Sequence, residues 1–321
     1  MAIVEGWERL KARWFASRAT APLRQIRFFV VGTGRCGTTL VRNILNLHSE
    51  VYVPSESHWI PIQCEMLGKG RHPFSDHAGA LERVFFADGR LTIDVVVSEV
   101  GISKLDLLNR TCERLGGRAS SVAEFNDALY GVLASAAGRS VVGDKTPDYC
   151  AYMPLLQSMW PDAKFVHIIR DGRDVALSMS NHPGYQRLIA LRETNWVPCA
   201  FDKRFDRPRM HEPVLGDYIR LWERRLRGTR NDAVRLKPNS YMEFRYEDLL
   251  RNPLSQIESL SRFLELNPDS VWLSKSAQMV NADNFNKVRN RKVWEELTTP
   301  VRETLLSASY LVDWDESLVP D

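Results

Sequence analysis

The sequence has no long apolar run. None of its segments approaches the roughly 18 consecutive apolar residues that a membrane-spanning helix requires. The amino-terminal stretch, MAIVEGWERLKARWF, also lacks the apolar core of a secretory signal peptide. We therefore expect a cytoplasmic protein that has no membrane partner. The alternative is a lumenal catalytic domain separated from its anchor, because such a domain would have the same composition.

Cysteine is scarce and irregularly placed. The five cysteines lie far apart, form no CxxC pair and show no metal-like spacing with the seven histidines. We therefore expect a reduced protein that binds no metal. These cysteines are Cys36, Cys64, Cys112, Cys150 and Cys199.

The sequence has little net charge. Its 43 Lys and Arg residues and 40 Asp and Glu residues leave a formal net charge of +3. That surplus is too small to indicate a nucleic-acid partner or an anionic membrane surface. Any positive charge that matters for function must be local, and the composition carries no signal of oligomeric state.

The sequence also lacks internal repeats, low-complexity tracts and Gly/Ser linkers, which predicts a single domain over residues 1–321 with residues 1–25 as an amino-terminal extension. Residues 183–215 form a long, proline-containing segment without a regular pattern. Segments of that length usually carry function. We interpret it as a lid or substrate loop, and an inert insertion is the alternative.

Short apolar runs alternate with helical patterns along the chain. Strands are predicted at residues 27–31, 50–54, 140–144, 163–170 and 240–246. Ser121 and Glu124 form a capping box at the start of one helix, and Leu250, Leu254, Ile257 and Leu264 predict the buried stripe of another. This alternation predicts an α/β fold with a mainly parallel sheet and helices on both faces.

The glycine-rich stretch VVGTGRCGTTLVRNIL at residues 30–45 lies between a predicted strand and a predicted helix, where backbone N–H groups form an anion site. It resembles the phosphate loop GxxxxGK[ST], but Thr38 stands in place of the lysine. The ligand should therefore carry less charge than ATP. A tight turn without a ligand is the alternative. The candidate binding residues are Gly34, Arg35, Cys36, Gly37, Thr38 and Thr39.

The GRCGTTL part of this loop resembles the PRSGTTL and PKSGTTL motifs of the sulfotransferases that use 3′-phosphoadenosine 5′-phosphosulfate (PAPS). Cys36 replaces the common serine, a mild departure because a backbone donor does not depend on the side chain. The resemblance implies a P-loop-like fold and a loop that binds the 5′-phosphosulfate of PAPS.

Polar residues follow four of the predicted strands. Arg35, Glu56, Lys145 and Arg170 each lie at the carboxyl end of a strand, and ligands of open parallel sheets bind at that edge. We therefore expect these four side chains to converge. Each also has a structural interpretation, as a helix-capping carboxylate, a solvated lysine or an ion-pair partner of a nearby aspartate.

The family resemblance extends to these positions. Glu56 resembles the catalytic glutamate of tyrosylprotein and heparan sulfotransferases, and Lys145 in GDKTPDY is similar to a lysine of the carbohydrate enzymes. Arg170 and Ser178 in RDGRDVALS resemble the pair that binds the 3′-phosphate, and Tyr246 in FRYEDL resembles a tyrosine near the nucleotide.

The segment KVRNRKVWEEL resembles a weakened form of the basic loop that closes over PAPS, which makes Arg291 and Lys292 candidates for nucleotide binding. The usual glycine of that loop is absent, and a solvated basic turn is the alternative.

The resemblance implies in-line transfer of a sulfuryl group from PAPS to an acceptor hydroxyl, with adenosine 3′,5′-bisphosphate as the product. Glu56 would act as the general base, and Lys145 and Arg35 would stabilise the leaving phosphate oxygen. The acceptor stays open among a protein tyrosine, a carbohydrate and a small metabolite. The alternatives are a P-loop-type small-molecule kinase and a non-catalytic nucleotide-binding protein.

Overall fold

A computed structural model describes residues 26–280 and residue 299. Within these residues the chain forms one five-stranded sheet with the order β2-β3-β1-β4-β5, and every neighbouring pair is parallel. All five predicted strands are present, so the predicted sheet is confirmed. The strands are β1 (Phe28–Gly32), β2 (Val51–Tyr52), β3 (Val141–Lys145), β4 (Lys164–Ile169) and β5 (Tyr241–Arg245).

The middle of the sheet is strand β1, whose sequence FFVVG is buried along its whole length. An uninterrupted apolar run is typical of a parallel strand that is covered on both faces. Its neighbours β3 and β4 pair with it in register, with Val30 opposite Lys145 and also opposite Val166. The carboxyl ends of these strands therefore lie side by side at one edge of the sheet.

Fourteen α-helices occur in the described part of the chain. They are α1 (Thr38–Asn46), α2 (Trp59–Leu67), α3 (Phe74–Leu81), α4 (Thr92–Val100), α5 (Lys104–Leu115), α6 (Val122–Ala136), α7 (Met153–Met159), α8 (Gly172–Ser180), α9 (Pro183–Ala190), α10 (Trp196–Ala200), α11 (Leu215–Ala233), α12 (Tyr246–Arg251), α13 (Pro253–Leu264) and α14 (Ser270–Met279). The predicted capping box opens α6. None of the helices between residues 26 and 280 combines the length and the apolar character needed to cross a membrane.

Proline placement explains two departures from the predicted elements. The predicted helix at residues 250–264 is divided, because Pro253 begins α13 after α12 has ended, and Leu254 is exposed rather than buried. Residues 183–215 are also more regular than predicted, since they contain α9, α10 and a 3₁₀ turn. Pro183 begins α9, where a missing N–H costs no helical hydrogen bond.

Candidate functional site

The glycine-rich loop connects β1 to the start of α1. Gly34 has φ 85°, Arg35 has φ 55° and Gly37 has φ 103°, so three left-handed residues turn the chain within four positions. Gly37 is the N-cap of α1, and no side chain caps that helix. The first N–H groups of α1 are therefore available to an anion, as in other phosphate-binding loops.

Two aromatic rings press against the glycines of this loop. A Cβ atom on Gly37 would lie 2.3 Å from the ring of Tyr246, and one on Gly34 would lie 1.7 Å from the Tyr185 hydroxyl. Both positions therefore require glycine. Tyr246, predicted from its motif, borders the loop directly, whereas Tyr185 has no signal in the sequence.

The predicted pair Arg170 and Ser178 lies beside the loop. The Arg170 guanidinium stacks 4.5 Å from the ring centroid of Tyr246 and donates to Asp174 at 2.8 Å. Its Nε is buried and has no hydrogen-bond partner among the described residues. Ser178 accepts a hydrogen bond of 3.0 Å from Arg35 Nε, so it joins the loop to the Arg170 side of the site.

These groups surround a polar cavity of about 230 Å³. Two guanidinium groups and four hydroxyl side chains line it, which suits a negatively charged ligand. Cys36 does not line the cavity, because its side chain is fully buried. The same burial raises the pKa of its thiol. The lining residues are Arg35, Gly37, Thr38, Thr39, Glu56, Pro147, Arg170, Ser178, His182 and Tyr185.

Glu56 and Lys145 form an ion pair at the border of this cavity. Glu56 follows β2 and Lys145 ends β3, and the parallel pairing of these strands brings Lys145 Nζ to 2.8 Å from Glu56 Oε1. His58 Nε2 lies 3.3 Å from the other carboxylate oxygen. Burial by itself would raise the pKa of the Glu56 carboxyl, but Lys145 and His58 outweigh burial and hold that pKa well below its usual range.

Hydrogen bonds next to this pair hold the two strand ends together. The Ser57 N–H donates to Thr146 Oγ1 at 3.0 Å, and the Ser57 hydroxyl lies 2.7 Å from the Tyr149 hydroxyl. All three side chains are buried. The positions of Glu56 and Lys145 are therefore set by a packed network rather than by flexible loops.

Arg35 and His58 both have a left-handed backbone without being glycine, with φ 55° and φ 57°. Such a conformation costs about 1–2 kcal/mol and is common at functional sites. His58 was not among the predicted site residues. The only signal for it was its place in the SESH stretch, two residues after Glu56.

A second and larger cavity, of about 750 Å³, adjoins the first. Glu56, His182 and Tyr185 line both cavities, so the carboxylate stands at their junction. The rest of its wall comes from residues 86–95, from Asp148 and from the segment predicted as a lid or substrate loop, which contributes residues 183–187, Trp196 and residues 205–209.

Arg225 on α11 joins the glycine-rich loop to Thr194 and to Asp148. Its guanidinium donates to the Thr33 carbonyl at 2.8 Å and to the Thr194 carbonyl at 3.0 Å, and it lies 2.5 Å from the Asp148 carboxylate. Arg225 and Asp148 are both buried. The sequence indicates neither residue, because nothing in the local pattern of α11 separates Arg225 from its exposed arginine neighbours.

Replacing Arg225 by alanine is expected to lower the free energy of unfolding by about 3–5 kcal/mol, because Asp148 would stay buried without its counter-charge. Chemical denaturation measures this loss. Arg224→Ala on the same helix is the control, since the Arg224 side chain is exposed and its loss should cost less than about 1 kcal/mol. Equal losses in the two variants would show that the buried pair does not support the loop.

Some predicted features lie outside the described residues. Arg291, Lys292 and the extension at residues 1–25 belong to this group. Within residues 26–280, no group of three His, Cys, Asp or Glu side chains is arranged to hold a metal ion.

The arrangement of the sheet and helices is shared with sulfotransferases. The sulfotransferase domain from the curacin biosynthetic pathway aligns with a TM-score of 0.58 and 15% identity, over 93% of this chain and 99% of that domain. At this identity the likeness shows the fold, which is the P-loop-like α/β fold of this class.

A profile described as the sulfotransferase family matches residues 27–270. The chain therefore belongs to the PAPS-dependent sulfotransferase family, as the loop motif predicted. A putative protein-tyrosine sulfotransferase of Caenorhabditis briggsae is 23% identical over 74% of this chain and 65% of its own length. The omega-hydroxy-beta-dihydromenaquinone-9 sulfotransferase Stf3 of Mycobacterium bovis is 28% identical over 44% of this chain and 32% of its own length. The chain thus spans between about one third and two thirds of these relatives.

Proposed function

We propose that this protein transfers a sulfuryl group from PAPS to an acceptor hydroxyl and releases adenosine 3′,5′-bisphosphate. The observation that carries the proposal is the Glu56–Lys145 pair at the junction of a cation-lined cavity and a larger one. The smaller cavity suits the anionic donor and the larger one suits the acceptor. The carboxylate lies where the two substrates would meet.

The residues of the smaller cavity fit a nucleotide with two separate anionic groups. The N-terminus of α1, Arg35 and the hydroxyl groups of Thr38 and Thr39 would hold the 5′-phosphosulfate. Arg170 and Ser178 would hold the 3′-phosphate, and the buried Arg170 Nε supplies an unused donor for it. Arg291 and Lys292 are proposed to bind the same nucleotide through their positive charges.

The donor supplies an activated sulfuryl group, and the protein supplies placement, a base and positive charge. Glu56 is positioned to accept the proton of the attacking hydroxyl, a contribution usually worth about 10²–10⁴ in rate. Lys145 and Arg35 would stabilise the negative charge that grows on the leaving phosphate oxygen. A sulfuryl group carries less charge than a phosphoryl group, so the proposal needs no metal ion.

The ion pair also makes the basicity of Glu56 depend on whether the donor is bound. Without nucleotide, Lys145 lies against Glu56 and keeps its carboxylate weakly basic. When Lys145 Nζ turns toward the leaving oxygen, its stabilisation of the carboxylate weakens and the pKa of Glu56 rises. Glu56 therefore becomes a better base only when the donor is in place.

The acceptor is a protein tyrosine, a carbohydrate or a small metabolite. The two relatives differ in this respect, because one is named for protein tyrosine and the other for a hydroxylated menaquinone. In this proposal residues 183–215 cover the acceptor, since several of them line the larger cavity.

Transfer of labelled sulfate from PAPS, together with calorimetry of adenosine 3′,5′-bisphosphate, tests the proposal. Nucleotide binding and a labelled ester product are the expected results. Magnesium-dependent ATP turnover without sulfate transfer would support the kinase alternative instead. Nucleotide binding without transfer to any hydroxyl compound would support a non-catalytic binding protein.

Arg170→Gln is expected to weaken the binding of adenosine 3′,5′-bisphosphate by about 10- to 100-fold, which is the usual effect of losing one hydrogen bond to a charged group. The loss for adenosine 5′-phosphate should stay below about threefold, because that nucleotide has no 3′ group. Calorimetry with both nucleotides gives the ratio. Arg110→Ala, an exposed change in α5, is the control. Equal losses for the two nucleotides would show that Arg170 does not contact the 3′-phosphate.

A further inference from the structure

The size and lining of the larger cavity limit which acceptors it can bind. Its volume of about 750 Å³ lies within the roughly 300–1,000 Å³ of sites that enclose ligands of drug size. A single tyrosine side chain would fill only a small part of it. The cavity therefore has room for an acceptor whose body extends well beyond its hydroxyl group.

Four aromatic side chains line this cavity, alongside seven charged residues. Trp196 and Phe205 stack with their ring centroids 6.1 Å apart and their planes 9° from parallel. Phe86 packs edge-on against His58 at 5.8 Å, and His58 in turn contacts Glu56. The aromatic part of the wall thus extends up to the residues that surround the carboxylate.

The charges around the cavity do not favour an anionic acceptor. The lining contains four carboxylates and three guanidinium groups. Arg90 lies 2.7 Å from Asp88 and Arg209 lies 3.6 Å from Glu212.

The third guanidinium group, that of Arg187, donates to the carbonyls of Phe205 and Arg207. Each of these arginines is therefore already engaged, and Glu56 and Asp148 are paired with Lys145 and Arg225. The cavity thus offers no surplus of positive charge to a tyrosine peptide with acidic flanks or to an acidic glycan.

We infer that the acceptor is an uncharged alcohol or phenol with an apolar body, held against Phe86, Trp196 and Phe205 with its hydroxyl at Glu56. This inference rests on the proposed sulfuryl transfer and narrows its acceptor. Apolar contact with the aromatic wall supplies the affinity. The carboxylate at the junction receives the one polar group that must be placed.

An acceptor competition tests the inference directly. The protein is given labelled PAPS and an equimolar mixture of farnesol, β-estradiol, a chito-oligosaccharide, a heparosan oligosaccharide and a tyrosine peptide with aspartate flanks. Most of the label is expected in the two apolar compounds, with a rate that is insensitive to salt. Preferential labelling of either sugar or of the peptide would overturn the inference, and so would the absence of any labelled product.

Two neighbouring phenylalanines provide a matched pair of variants. Phe86 lines the cavity, whereas Phe85 does not line either cavity and instead lies beneath Lys203. Phe86→Ala is expected to raise KM for the apolar acceptor about tenfold or more, and Phe85→Ala should change it less than threefold. Thermal unfolding of both variants shows whether they are folded. Equal KM values in the two variants would contradict an apolar acceptor site at Phe86.

Calorimetry of adenosine 3′,5′-bisphosphate separates this inference from the function on which it rests. Absence of nucleotide binding would remove the proposed transfer itself. Normal binding with labelling of the acidic peptide or of a glycan would leave the transfer standing and remove the apolar acceptor. Phe86→Ala should leave the nucleotide Kd unchanged, because Phe86 does not line the smaller cavity.

Discussion

Glu56→Gln is expected to slow sulfuryl transfer by about 10²–10⁴-fold, which corresponds to about 3–5 kcal/mol of transition-state stabilisation. The amide keeps the size of the side chain but cannot take the proton of the acceptor. The affinity for adenosine 3′,5′-bisphosphate should not fall, because the variant removes a negative charge beside an anion site. Labelled sulfate transfer and calorimetry measure the two quantities.

The control for this variant is Glu65→Gln, which changes an exposed glutamate of α2. It should transfer sulfate at the wild-type rate. If Glu56→Gln also keeps the wild-type rate, Glu56 is not the base and its pair with Lys145 is structural.

The pH profile of the wild type gives a further check on this assignment. Because the pKa of Glu56 lies well below its usual range, the carboxylate stays ionised as the pH falls from neutrality to about pH 4, where a glutamate of ordinary pKa would be more than half protonated. The kcat/KM for the donor reports the free enzyme and should show no acidic limb from Glu56 over that interval. The stability that this ionised carboxylate contributes should likewise be lost only below the ordinary glutamate range.

Lys145→Met is expected to lower kcat by about 10²–10³-fold, the usual effect of removing one group that stabilises charge in a transition state. Methionine retains most of the buried volume of lysine without its charge. The pKa of Glu56 should rise in this variant, because Lys145 is the main group that opposes the effect of burial. An acidic limb should therefore appear in its kcat/KM profile at higher pH than in the wild type.

Lys104→Met is the matched control, since Lys104 lines neither cavity and pairs with Glu82, just after α3, and with Asp94 on α4. It should leave kcat and the pH profile unchanged. A Lys145→Met variant with reduced kcat but an unmoved pH profile would mean that the charge of Lys145 does not control Glu56. Wild-type kcat in that variant would exclude Lys145 from the reaction.

The two variants differ in how they should affect the separate kinetic constants. Glu56→Gln removes a group that acts on the acceptor, so donor affinity should be preserved while kcat falls. Lys145→Met removes a cation from the donor side and should also weaken donor binding. The KM for PAPS therefore separates the two roles.

The strands and the phosphate loop could be predicted because their signals are local. A buried parallel strand such as β1 must be apolar on both faces, so the run FFVVG predicts a strand without any information about the rest of the chain. The loop likewise needs glycine at Gly34 and Gly37, where aromatic rings approach the backbone and φ is positive. Helix boundaries near Pro253 were less predictable, because an apolar spacing does not record where one helix ends and the next begins.

The convergence of Arg35, Glu56, Lys145 and Arg170 followed from one rule about parallel sheets, and the strand order bears out that geometry. Their chemical roles stay predictions until the variants are measured. The bonds that these residues make were not predictable. The Arg35–Ser178 hydrogen bond joins residues 143 positions apart, and no local spacing encodes it.

The sequence by itself determined the parallel α/β sheet, the lysine-free phosphate loop and the family, since each depends on short-range patterns of apolar, glycine and polar residues. Only the tertiary structure decided that His58 joins Lys145 at Glu56, that Arg225 supports the loop, and that an aromatic cavity opens onto the carboxylate. These features depend on which distant side chains meet after the chain has packed. Burial and charge pairing arise from contacts between distant side chains, and short-range sequence patterns do not record those contacts.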